Sequence, residues 1–231
     1  MSDLRPMALG DPAQTVPGPA PDAPARVFLL SPANCGGARA RQLLSPRAQS
    51  ALAERLRAGA GVPLGELFAY CSGLYFRGKL TYARRFAAPP DRTNAVIGSG
   101  VHVITPNAGL RLPDTPVTGA TIRDFAGADV HPDNLAYRRP LEQSAGALAR
   151  AVGPDCDVVL LGSIASPRYV DVLLGIFEGR LRFPLAFVGR GDMSRGGLLL
   201  RQAAAGTELA YGPVAGAMRH GARPPKLPPR A

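Results

Sequence analysis

The stretch DVVLLGSIASPRYVDVLLGIFEG (157–179) decides the fold. Its opening run, DVVLLG (157–162), is apolar and β-branched, which predicts a buried strand. SPRYVDVLLGIFEG (166–179) reads as a helix, with Ser166 as N-cap and Pro167 at its first position. A strand, a short polar loop and a helix thus follow one another within 23 residues.

The same alternation extends outward. VFLL (27–30), VHVIT (101–105) and PLAFV (184–188) read as strands. RRPLEQSAGALARAV (138–152) and GGLLLRQAAAG (196–206) read as helices, the second ending at Gly206. In RARQLLSPRAQSALAERLRAG (39–59), Pro46 removes a helical hydrogen bond, so two helices are expected, the second capped by Ser45. GELFAY (65–70) fits a strand or a helix equally. Apolar strands alternating with helices predict an α/β domain, its mostly parallel or mixed sheet covered by helices. One domain is expected over 26–218, between a Pro- and Ala-rich disordered tail (1–25) and a basic Pro-rich tail (219–231).

Composition narrows the function classes. The net charge of +10 favours polyanionic partners, either nucleic acid or nucleotide. Cys35, Cys71 and Cys156 form no CxxC pair, and only three histidines accompany them, so neither a disulfide framework nor a zinc site is expected. No segment has the length to span a bilayer, and the N-terminus lacks a signal-peptide pattern. A cytoplasmic protein without a membrane partner is the expectation. No cofactor fingerprint is present.

Ligands of such sheets gather at the carboxyl ends of the strands. Four loops qualify there. Ser31-Pro32-Ala33-Asn34-Cys35-Gly36-Gly37 precedes Arg39 and can converge backbone N–H groups on an anion. Thr105–Arg111 offers Asn107 to a base edge or ribose hydroxyl. Gly162–Tyr169 offers Ser163 and Arg168. FVGRGDMSRGG (187–197) places Arg190, Ser194 and Arg195 around a Gly-rich turn, with Asp192 as candidate acid or base. Ser163 and Asp192 are the candidate catalytic residues. A further basic stripe, YFRGKLTYARRF (75–86), interleaves Arg77 and Lys79 with aromatics, a pattern that pairs with phosphates and stacks on bases. Asp114, Asp124, Asp129, Asp133 and His131 fall in one segment read as a solvated loop, with no metal-ligand spacing.

Four islands in order resemble the YaaA (peroxide stress protein) family: LLSPAN (29–34), SGLY (72–75), LGS-x-x-S-x-x-Y (161–169) and GRGDMSRG (189–196). Arg190, Gly191, Met193, Ser194 and Arg195 match the family's A-R-G-x-M-S-R motif in order and spacing. Ser31, Pro32 and Ala33 match its first turn, while Asn34 stands where the family has Lys. The resemblance implies an α/β fold with a basic cleft, DNA binding, and protection of DNA under hydrogen peroxide. It also implies a helix-hairpin-helix-like element, for which LRAGAGVPLGEL (56–67) is the candidate.

Two functions follow. One is a YaaA-like DNA-binding protein of the oxidative-stress type. The other is a glycosidase- or transferase-type enzyme for a nucleotide, nucleoside or nucleobase, its pocket at the strand ends. An interaction module without chemistry is the third reading.

Overall fold

The computed structural model describes residues 24–165, 167–219, 221–222 and 224–225. Residues 1–23 of the expected N-terminal tail and the expected cap Ser166 lie outside them.

β1 (Arg26–Leu30) is buried at all five positions. It leads through α1 (Ala38–Leu43), α2 (Ala51–Arg57), β2 (Val62–Pro63), α3 (Leu64–Ser72) and α4 (Leu74–Phe86) to β3 (Val101–Ile104). β4 (Leu110–Arg111), β5 (Pro116–Val117), α5 (Gly119–Gly127) and α6 (Leu135–Val152) precede β6 (Asp157–Leu161). α7 (Pro167–Phe177), β7 (Leu181–Pro184), α8 (Asp192–Ala205) and β8 (Tyr211–Pro213) complete the fold. The main sheet has the order β4-β3-β1-β6-β7-β8. Its four central strands are parallel, and β4 and β8 add antiparallel edges. The α/β expectation with a mixed sheet therefore holds.

Alternating strand residues feed two cores. Phe28, Leu30, Val101, Val103, Val159 and Leu161 pack on one face with side chains of α1 to α5 and α8. Val27, Leu29, Val158, Leu160, Leu181 and Phe183 pack on the other with α6 and α7. The crossover from β1 leads to β3 on one side, and that from β6 leads to β7 on the other. The carboxyl ends of β1 and β6 thus flank the point where the connections diverge, the place where open sheets of this class form a crevice.

Several local expectations are corrected. The second helix begins at Ala51, and Ser50, not Ser45, caps it by accepting from the Ala53 N–H at 3.3 Å. Ser45 instead closes a turn, its hydroxyl accepting from Arg47 N. PLAFV is not a strand. β7 starts earlier, where Arg182 interrupts the apolar run and pairs with Asp157, and Leu185–Phe187 forms a 3-10 turn that buries Phe187. α8 begins at Asp192, so most of GRGDMSRG is helix rather than loop. GELFAY is helical. The segment 114–133 contains α5, capped by Thr118, and is not all loop. The hairpin candidate is interrupted by β2, which pairs with β5.

α4 and α8 cross backbone to backbone. A Cβ on Gly78 would lie 2.6 Å from Gly196 O, and one on Gly196 would lie 2.8 Å from Leu74 O. Those atoms are main chain, so relief requires the helices to separate. α4 can start directly after α3 because Gly73 adopts φ 61°. No helix among the described residues is long and apolar enough to cross a membrane.

Gly196→Ala is expected to destabilise the fold by about 1–3 kcal/mol through overpacking, measured by denaturant unfolding. A second expectation concerns His102 on β3, which is buried with Nε2 unpartnered. Burial lowers its pKa from 6.5 to about 4. The unfolded chain then takes up this proton first as pH falls, so the contribution is complete above pH 6.5 and is lost towards pH 4. His102→Leu should flatten the pH dependence of Tm across that window.

Candidate functional site

The loop after β1, the loop after β6 and the start of α8 meet around one cavity of about 430 Å³. Ser31, Asn34 and Cys35 form one wall, and Ser163, Arg168 and Tyr169 another. Asp192 stands at the rim. Tyr75 and Lys79 of α4 contribute from below. Phe125 and Val130 supply an apolar side. The loop after β3 adds Pro106 only. Asn107 is not among the lining residues, because Thr105 folds this loop onto itself, donating to Gly109 O and accepting from Ala108 N.

Lys79 is 1% exposed. Its Nζ donates to Ser31 O at 2.6 Å and lies 2.8 Å from Ser31 Oγ. The same nitrogen stands 4.5 Å from the Tyr75 ring centroid and 4.8 Å from that of Phe76. Burial lowers its pKa from 10.5 to about 7, with Asp192 opposing the shift and Arg195 adding to it. None of the described ion pairs includes Lys79. This corrects the stripe reading. Tyr75, Phe76, Lys79 and Tyr82 are buried, so they form no stacking face on the outer surface. Arg77, Arg84 and Arg85 alone remain of the stripe's exposed cations.

Tyr169 donates to Ser163 O at 3.0 Å and lies beside Ser31. Burial raises its hydroxyl pKa, as it does that of Tyr75. The Tyr75 hydroxyl is buried without a hydrogen-bond partner, although the Arg195 guanidinium lies beside it.

The arginines of FVGRGDMSRGG are largely engaged by the protein itself. Arg195 donates to Phe187 O through Nε and Nη2, and its Nη1 reaches Asp192 at 3.4 Å. Arg190 donates to Ala186 O and Ser194 Oγ, and its Nη1 reaches Pro225 O at 3.4 Å. Neither arginine, nor Ser194, lines the cavity. In this structure their hydrogen bonds hold the start of α8 in place. Part of the expected C-terminal tail lies against this turn, since a Cβ on Gly189 would meet Ala222 O.

Asn34 accepts from Gly36 N and shapes the first loop. Arg39 and Arg77 lie outside this cavity and line a separate surface hollow with Tyr70 and Met193. Sequence reading does not single out Phe125, Ala126, Ala128 or Val130, whose segment has no motif and reads as solvated loop. Cys35 and Cys71 lie together. Their proximity raises the Cys35 pKa and lowers that of Cys71, which Arg39 also lowers. No group of three or more His, Cys, Asp or Glu side chains among the described residues is placed to hold a metal.

No protein-family model, curated protein or solved structure matches the chain.

Tyr75→Phe removes a buried hydroxyl that lacks a partner, so Tm should hold or rise. A loss above about 1 kcal/mol would show that the hydroxyl is bonded in solution.

Proposed function

We propose that the protein is an enzyme acting on a nucleotide, nucleoside or nucleobase bound in the cavity at the ends of β1 and β6. The observation that carries this reading is the convergence of separate strand-end loops on one hollow at the divergence of the crossovers. Its size lies in the range of small-molecule sites. Its apolar side, Phe125, Val130 and Pro106, suits a flat ring. Ser31 and Ser163 in the lining offer hydrogen bonds to the ligand. Arg168, exposed at the rim, suits a phosphate. Asp192 is placed to exchange protons at the opening.

DNA binding in the manner of the YaaA family is the second reading. The net charge of +10 favours it, together with exposed Arg39 and Arg77 beside the separate hollow. In this reading the LLSPAN and GRGDMSRG islands mark kinship with that family, and protection of DNA under peroxide is the associated role.

Thermal-shift measurements separate the two. Nucleoside monophosphates, nucleosides and nucleobases are expected to raise Tm in proportion to saturation. Arg168→Ala should weaken monophosphate binding roughly tenfold and leave nucleoside binding unchanged. Stabilisation by duplex DNA alone, falling steeply with salt, would replace this reading with the second.

A further inference from the structure

The sequence reads Ser31 and Lys79 as phosphate contacts, but their mutual geometry fits another division of labour. Both polar contacts of Lys79 Nζ are to Ser31, its main-chain oxygen and its hydroxyl. The main chain of Ser31 is fixed, since its N–H donates to Leu161 O on β6. An uncharged amine satisfies this arrangement by donating one N–H to Ser31 O and accepting the Ser31 O–H through its lone pair. The groups facing Lys79 are Asp192 and Arg195 from α8, of opposite sign, and the Tyr75 ring from its own helix. Ser31 is buried but lines the cavity, and the Tyr169 hydroxyl from α7 also lies beside its side chain. α7 begins at Pro167, and Arg168 and Tyr169 of its first turn line the same cavity. Tyr75 also lines the cavity, and its buried hydroxyl, beside the Arg195 guanidinium, is a donor without a protein acceptor.

We propose that Ser31 Oγ is a nucleophile, that Lys79 is its general base, and that the reaction is phosphoryl transfer from a nucleotide ester. The proposal rests on the nucleotide reading of the cavity. Ser31 Oγ attacks phosphorus and gives its proton to the Lys79 amine. The Oγ–P bond forms as the bond from phosphorus to the ester oxygen breaks. The Lys79 ammonium returns the proton to that departing oxygen, leaving an alcohol and phosphoserine. Water then attacks phosphorus and restores the serine, releasing inorganic phosphate. Arg168 neutralises charge on the phosphoryl oxygens.

An alkyl fluorophosphonate tests the pair without a known substrate, because a serine attacking its phosphorus expels fluoride. Intact mass and peptide mapping should find one adduct, on Ser31, and none on Ser31→Ala. The labelling rate should rise with pH and level off above about 7, as Lys79 loses its proton. Lys79→Met, which keeps a long side chain, should label about 100-fold more slowly. Absence of a Ser31 adduct overturns the proposal, as does wild-type labelling of Lys79→Met. Should that variant not fold, a flat pH profile for the unaltered chain overturns it equally. Nucleotide-induced Tm shifts without Ser31 labelling would refute the pair and leave the nucleotide reading intact. Labelling without such shifts would refute the nucleotide reading, and with it the nucleotide as the ester, and leave the Ser31–Lys79 pair standing.

Discussion

The cavity depends on a contact that involves no side chain. Gly78 and Gly196 bring α4 and α8 together with main-chain atoms touching. α4 carries Tyr75 and Lys79 towards the end of β1, and α8 carries Asp192 and Arg195 towards the same place. A methyl group at either glycine would move the two helices apart. The amine of Lys79 and the carboxylate of Asp192 could not then share one hollow with Ser31.

α4 is pinned to the sheet at two levels. Lys79 reaches Ser31 at the end of β1, while the Tyr82 hydroxyl accepts from Leu209 N and pairs with the Tyr211 hydroxyl, both at 2.7 Å. The helix therefore cannot slide along the sheet without breaking buried hydrogen bonds, each costly to leave unmade. Burying an amine without a bonded carboxylate carries a large desolvation cost, which the protein meets by favouring the uncharged form.

The parallel core was legible because its strands are short apolar runs between turn residues. VFLL, VHVIT and DVVLLG all became strands. β7 was hidden, since LRFP places Arg182 in mid-strand and the more apolar PLAFV beside it drew the assignment. The loops after β1 and β6 were identifiable as site material from their position alone. What sequence order could not express was direction. YFRGKLTYARRF displays its cations and aromatics as a string, but a helix turns Lys79 inward and Arg77 outward. Likewise, Arg190 and Arg195 matched a motif, yet the main-chain oxygens of Ala186 and Phe187 occupy their guanidinium groups. Such short-range capture leaves no trace in residue spacing.

Ser31 leaves one of the two central strands of the sheet, with parallel neighbours on both sides, whereas Phe125 and Val130 come from a segment joined to the body partly by a two-residue ladder. The opposite walls of the hollow are therefore tied to the sheet to different extents. Replacement or lengthening of 119–130 can reshape what fits inside while the oxygen and amine stay in register. Sequence variation in chains built this way should accumulate on that wall rather than around Ser31.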